Sequence, residues 1–427
     1  MRIEISESKE EFNTQYAPLA AILATYQAKR LFQPLEDIPI VMKNRDFAAV
    51  DKLIQVLISI VAGCETLSEV NLRLQPEQQL ASIGGWPRFA DQSTLSRMLD
   101  KLSQKQIEQM RQANREIWWS QSRIRNWDWR KYLWLDFDLS GLQCSAQAEE
   151  SKKGYFVKKN ATGRQLARVS ATSERETVWS DLFAGNQHTI QCLQSAVLGA
   201  ESALELSARQ RQHTVWRMDG GSGSDEQFRW LLARGYHLLG KGLSGRRAEA
   251  LARQVRRWDS YRDDAWIGEV PPPVDLGRPV RFFVKKRYKK DKIVHSYYVS
   301  TLSLPSKQLF LADYDDRGAA EVEQFRNDKS GLGLEARRKR SFTGQKAYIL
   351  LTDLAHNLLA DFYFRALVDS PFADYGPKRI VRDLFHFPGR LVFEQENLVR
   401  VELLSQKQFS QDLANCLNRF CSAPDIE

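Results

Sequence analysis

Hydrophobic spacing along the chain changes character three times. Up to about residue 125, apolar residues recur every three or four positions, the period of helices packed along one stripe. Leu53, Ile54, Val56, Leu57, Ile58 and Ile60 make residues 51–62 apolar enough for a buried helix. Further on, the turn Gly85-Trp86-Pro87 leads to Asp91, a favourable N-cap. Behind it Leu95, Met98, Leu99 and Leu102 form one apolar stripe. From Lys131 the period drops to two, predicting strands at 133–140, 166–172, 177–183, 214–219 and 236–240. Helices are predicted at 189–210 and 224–233, the second capped by Ser224 and stopped by Gly235. Three strands, helix, strand, helix, strand describe a mixed α/β layer, whose strand-end residues gather where such sheets place ligands. A basic helix at 244–257 follows, then the break Pro271-Pro272-Pro273 and two strands at 281–288 and 294–300. The remainder reads as a long helix from Asp313, an apolar helix at 345–364, a strand pair at 390–394 and 398–404, and an amphipathic helix at 407–420.

Composition narrows the class. Hydrophobic content of 43% and charged content of 27% are ordinary for a folded soluble protein. The most apolar run, 53–62, is too short to span a bilayer, and the first residues hold no apolar signal core, so a cytoplasmic protein without a membrane partner is expected. Five scattered cysteines and six scattered histidines offer neither a disulfide framework nor zinc-ligand spacing. The net charge of +9 points to a polyanionic partner, nucleic acid first.

Where the charge sits is more informative. Gln92, Ser93, Thr94 and Arg97 lead the capped helix with polar groups, as a DNA recognition helix would; an ordinary bundle helix has the same pattern. Lys285, Lys286, Arg287, Lys289 and Lys290 concentrate cations among tyrosines on the later strand pair. This suits a phosphate backbone, or equally a sheet edge protected by lysines.

The acids stand apart from this. In Trp134-Leu135-Asp136-Phe137-Asp138-Leu139-Ser140-Gly141, strand alternation sends Asp136 and Asp138 to one face and Leu135, Phe137 and Leu139 to the other. Two carboxylates against a core call for a cation; on a solvated edge they need none. Asp219 ends a later strand, and Glu321 and Glu323 lie on a late helix. Three such carboxylates around two divalent ions are an apparatus for phosphodiester chemistry.

With these features the chain resembles the DDE transposases of bacterial insertion sequences, the cut-and-paste group with a β-rich insertion in an RNase H-like core. The resemblance rests on Leu135-Asp136-Phe137-Asp138-Leu139-Ser140, on Arg217-Met218-Asp219-Gly220-Gly221, and on a Tyr-x2-Arg-x3-Glu signature at Tyr314, Arg317 and Glu321. Asp328-Lys329-Ser330-Gly331-Leu332, Arg337-Arg338-Lys339 and Leu354-Ala355-His356-Asn357 are also similar to the family. The family sets a lysine seven residues after its glutamate, whereas here that position is Asp328 and Lys329 is one further on. At about 100° per residue, Tyr314, Arg317 and Glu321 fall within about 60° of one another, while Glu323 lies about 180° from Tyr314. Glu321 is therefore preferred, with Glu323 the alternative. A one-residue helical bulge would return Lys329 to the same face. Asp138 is preferred over Asp136 because it lies nearer the carboxyl end of its strand and precedes Leu139-Ser140, like the family's ending.

The resemblance implies an α/β fold: an RNase H-like mixed-sheet core with an inserted β-rich subdomain and an N-terminal helical DNA-binding domain. The expected divisions are 1–125 (helical, DNA-binding), 126–240 (first part of the core), 241–305 (β-rich insertion), 306–370 (second part of the core) and 371–427 (DNA contact or dimerisation). It implies that Asp138, Asp219 and Glu321 hold two Mg2+ ions, for which Mn2+ can substitute, and that Tyr314, Arg317 and Lys329 grip terminal phosphates. Trp258 and Trp266 become candidates for stacking a flipped base. The implied activity is metal-dependent cleavage of transposon ends and strand transfer into target DNA. The implied partners are double-stranded terminal inverted repeats, target DNA and a second subunit in a homodimer on DNA, in a nucleoid-associated bacterial protein. The alternative is an RNase H-like nuclease, or an inactive DNA-binding relative, without strand transfer.

Overall fold

The structure is a computed structural model that describes residues 12–42, 46–154, 156, 161–289, 292–306, 309–314, 328–405 and 408–422. The chain divides into two compact units, one of Met1–Ser122 with Arg326–Glu427 and one of Arg123–Phe325.

The first unit is helical. Its N-terminal part holds α1 (Ala17–Ala28), α2 (Gln33–Glu36), α3 (Ala49–Val61), α4 (Glu69–Arg73), α5 (Gln78–Ile83), α6 (Gln92–Leu99) and α7 (Gln104–Gln121). The apolar run predicted as a buried helix is α3, buried on nearly every side. Asp91 caps α6, accepting the Thr94 N–H, and Ser103 caps α7 with Gln106 reaching back.

The second unit is built on one ten-stranded sheet. Its first strands are β1 (Leu133–Gln143), β2 (Lys152–Lys153), β3 (Thr162–Ala171) and β4 (Glu176–Ala184). Next come α8 (Thr189–Leu204), α9 (Ala208–Arg211), β5 (Thr214–Met218), α10 (Asp225–Ala233), β6 (His237–Lys241) and α11 (Gly245–Ala252). The helix predicted at 189–210 is two helices. Glu205 turns left-handed at φ 51°, and Ser207 with Gln210 forms a new capping box that starts α9. The sheet closes with β7 (Asp259–Arg262), β8 (Ala265–Val270), β9 (Arg281–Lys289) and β10 (Lys292–Ser300).

Strands β4, β3 and β1 are antiparallel neighbours, and β5 and β6 then run parallel to β1. This is the mixed sheet expected of an RNase H-like core. Each parallel step needs a crossover, supplied by α8 with α9 and by α10. The β-rich stretch adds its strands to the other edge of β6, in the order β10, β9, β8, β7. Strands β7 and β8 carry no alternation to read, since β7 has one apolar residue, Tyr261, and β8 runs Ala265-Trp266-Ile267 without a polar break.

Back in the first unit, α12 (Phe342–Phe362) runs through the centre of the core, and Asn114 on α7 donates to its Leu350 carbonyl at 2.7 Å. A hairpin of β11 (Gly389–Glu394) and β12 (Asn397–Leu403) and a closing helix α13 (Ser410–Ser422) finish the unit. Among the described residues no helix is long and apolar enough to cross a membrane.

Candidate active site

Parallel pairing of β1 with β5 sets the site. The register runs from Leu133 opposite Thr214 to Phe137 opposite Met218, so Asp138 and Asp219 are the next pair. Asp219 keeps an extended backbone, φ −81° and ψ 178°, and strand alternation therefore still holds there. Opposite residues on paired strands point to the same face, with backbones about 4.8 Å apart. Asp138 and Asp219 thus stand side by side, Asp219 just past the end of β5 and Asp138 midway along β1, which runs on to Gln143 instead of ending at Ser140. Each carboxylate accepts one local backbone N–H, from Leu139 and from Gly221 respectively, both at 2.9 Å.

Asp136 belongs to the same face, one step deeper, and it has a different partner. Its register partner is Arg217. The two form a bidentate pair, Arg217 Nε to Oδ1 at 2.7 Å and the second nitrogen to Oδ2 at 2.6 Å. The Thr172 hydroxyl also donates to Oδ2, and the guanidinium lies 5.1 Å from the Trp134 ring centre. Both side chains are buried, 0% exposed for Asp136 and 9% for Arg217. The buried acid of β1 is therefore neutralised by a protein cation. Nothing in the sequence marks Arg217, though it lies in the second acid motif, or Thr172 as a partner of Asp136, because that role depends on a register between distant segments.

Cations flank the acid pair in the same row. Arg168 on β3, buried, is the register partner of Asp138, and Lys241 on β6 follows in register beside Asp219. The π-helical turn Leu309–Tyr314 packs on this face through Phe310 and Tyr314, in a cluster with Val215, Leu239 and Tyr298. Phe310 and Tyr314 pack edge-on against Tyr298, at 4.9 and 4.8 Å between ring centres. The Tyr314 hydroxyl reaches the Met218 carbonyl at 3.4 Å, next to Asp219. Arg317, Glu321 and Glu323 lie outside the described residues, as does the stretch that the one-residue bulge would occupy. Among the described residues, no three carboxylate, imidazole or thiol groups cluster as a metal site.

A family model, Transposase DDE domain, matches residues 129–358, more than half of the chain. The chain belongs to the DDE transposase family. Its members in general carry out nuclease and transesterification chemistry and use divalent metal ions. No curated protein matches the chain. Among solved structures, a piggyBac transposase in a synaptic complex with hairpin DNA resembles it loosely, at a TM-score of 0.46 and 13% identity over 87% of this chain and 79% of that one.

The other candidate residues of this transposase belong to both units. On α6, Ser93 is exposed and bonds to the capping Asp91, while exposed Arg97 folds back on the Ser93 carbonyl and the Thr94 hydroxyl. The Asp91 carboxyl is drawn down to about 2, first by the Ser93 hydrogen bond. Gln92 binds Asn71 through its N–H. Lys329 lies 3.5 Å from Glu335, and its neighbour Asp328 forms a buried pair with His356 at 2.8 Å.

On the outer strands, the expected cations hold intramolecular partners. Lys285 lies over the Tyr261 ring at 4.9 Å, and Arg287 pairs with Asp264 at 2.8 Å, holding that carboxyl below its usual range. Lys286 sits between Trp258 and Trp266, 4.7 and 4.9 Å from the two ring centres. The two tryptophans thus clasp a lysine of β9. Lys289 is exposed, and Lys290 lies outside the described residues.

Proposed function

We propose that this transposase cuts the ends of a mobile DNA element and joins them to target DNA, with Asp138, Asp219 and Glu321 holding two Mg2+ ions. The observation that carries the reading is the register of β1 with β5, in which Asp138 and Asp219 are the next pair after Phe137 and Met218. Two hard carboxylates side by side fit Mg2+, which takes oxygen ligands and keeps part of its water shell. Asp136 is committed to Arg217 and Thr172, which favours Asp138 as the ligand. Glu321 is preferred over Glu323 on helical geometry. When bound, such ions activate the attacking oxygen and stabilise the leaving one.

The protein's own groups supply position. Tyr314, anchored on the Met218 carbonyl, fixes the start of the signature segment beside Asp219. Arg317 and Lys329 would bind terminal phosphates, and exposed Lys289 with Lys290 would track the backbone. Gln92, Ser93, Thr94 and Arg97 would meet the DNA from α6. Trp258 and Trp266 would take a flipped base only if Lys286 left the gap between them. A homodimer on the paired ends, acting at the nucleoid of a bacterial cell, completes the proposal.

The test is incubation of a duplex of the DNA that flanks the reading frame with Mg2+ or Mn2+ and a target plasmid. Cleaved ends and joined products are expected from the wild type, and neither from Asp219→Ala. Full activity in Asp219→Ala would overturn the reading. Cleavage without joining would leave a nuclease, and binding without cleavage an inactive relative.

A further inference from the structure

We infer that Lys241 is a phosphate-binding residue of the acid face, seating a DNA backbone phosphate beside Asp219; the inference rests on the transposase reading above. Two independent pairings put its side chain there. Parallel β5 and β6 run in register from Val215 opposite His237 to Met218 opposite Gly240, so Asp219 and Lys241 are the next pair. From the other side Lys241 is the register partner of Tyr298 on β10. The Tyr298 ring packs against Phe310 and Tyr314, in a cluster that also holds Val215 and Leu239 from the face of Asp219. Both neighbours therefore place Lys241 on the face of Asp138 and Asp219.

The path of the side chain agrees with the register. A Cβ on Gly220 would stand 3.6 Å from Lys241 Cδ and 3.7 Å from Cε. The lysine stem thus runs past the residue that follows Asp219. Yet Lys241 has no ion-pair partner among the described residues, and the neighbouring Asp219 carboxylate is turned to the Gly221 N–H. A half-buried lysine on this face is placed to receive an anion from outside the chain. Once cations occupy the carboxylates, the anion left for it is the phosphate brought to them. Lysine suits that task as a compact point charge. In the row Arg168, Asp138, Asp219, Lys241 the acids are bracketed by cations, and of the two cations Arg168 is buried while Lys241 is half-exposed.

The experiment compares full-length wild type, Lys241→Gln, Lys241→Arg and Asp219→Ala on an end-labelled duplex of the DNA that flanks the reading frame. A parallel set of duplexes carries a neutral methylphosphonate at successive phosphates around the cut. Loss of one charge-assisted contact should slow Mg2+-dependent cleavage by Lys241→Gln about tenfold to a hundredfold, with the melting temperature unchanged and Lys241→Arg restoring most of the rate. In Ca2+, the salt dependence of its DNA binding should fall by about one phosphate contact. At one methylphosphonate position, wild type and Lys241→Gln should become equal, a readout that a purely structural role would not move. Wild-type cleavage by Lys241→Gln, or an equal defect on every methylphosphonate duplex, overturns the inference while leaving the transposase reading intact. If the wild type neither binds nor cuts the duplex, and Asp219→Ala is no different, the transposase reading fails and the inference fails with it.

Discussion

Asp136 and Asp138 are two residues apart on one strand face, and the deeper one is locked into a buried ion pair. Asp136 is held by both nitrogens of a buried Arg217 fork and by Thr172, so removing the arginine strands a charge in the core. Arg217→Met should cost about 3–5 kcal/mol in chemical denaturation of the whole chain. The double variant Asp136→Leu with Arg217→Met should recover most of that loss, because no charge is then left buried. Equal destabilisation by the single and double variants would show that the pair is not what stabilises the strands. A second buried acid lies in the helical unit. Asp361 accepts from the Tyr26 hydroxyl at 2.8 Å, and burial pushes its carboxyl up from 3.8 to about 6, with Arg365 opposing. A raised carboxyl favours the fold in its protonated form. That contribution is full below about pH 4 and is lost as pH rises through about 6. Relative to Asp361→Asn, the wild type should therefore melt at higher temperature at about pH 5 than at about pH 7, as differential scanning calorimetry would read.

At the scale of elements, the turn after β5 governs how Asp219 and Lys241 meet. A Cβ on Gly223 would come 1.8 Å from the Lys241 carbonyl oxygen, a backbone overlap that no rotamer relieves. Gly223→Ala should destabilise the chain by about 1–3 kcal/mol and slow end cleavage by more than its stability loss explains. An unchanged rate would detach the turn from the site. The cap of α6 gives a milder case: Asp91→Ala should cost about 1 kcal/mol and weaken DNA binding if that helix meets DNA, as fluorescence anisotropy can measure. Both features show what was legible beforehand. Asp91 and Ser224 declare their helices through local chemistry, and β1, β3, β4, β5 and β6 through alternation. Strands β7 and β8 were not legible, because short strands paired beside an established sheet need little apolar pattern of their own. The break at Glu205 was missed although Ser207 and Gln210 spell a capping box.

For the whole molecule, strand register carries what the sequence withholds. The acids could be named one by one and Asp138 preferred, but it is the pairing of β1 with β5 that gives Asp136 its buried partner, and the pairing of β5 with β6 that brings Lys241 into the row of Asp138 and Asp219. Trp258 and Trp266 are a similar case, since nothing in the order of residues announces that Lys286 lies against both rings. The net charge of +9 predicts DNA binding that weakens steeply with salt. The most direct test of the site is electron paramagnetic resonance of bound Mn2+, measured in the wild type and in Asp136→Asn, Asp138→Asn and Asp219→Asn. Binding should survive in Asp136→Asn and be lost in the other two. Loss in Asp136→Asn with retention in Asp138→Asn would contradict the assignment of the metal to the Asp138 and Asp219 pair.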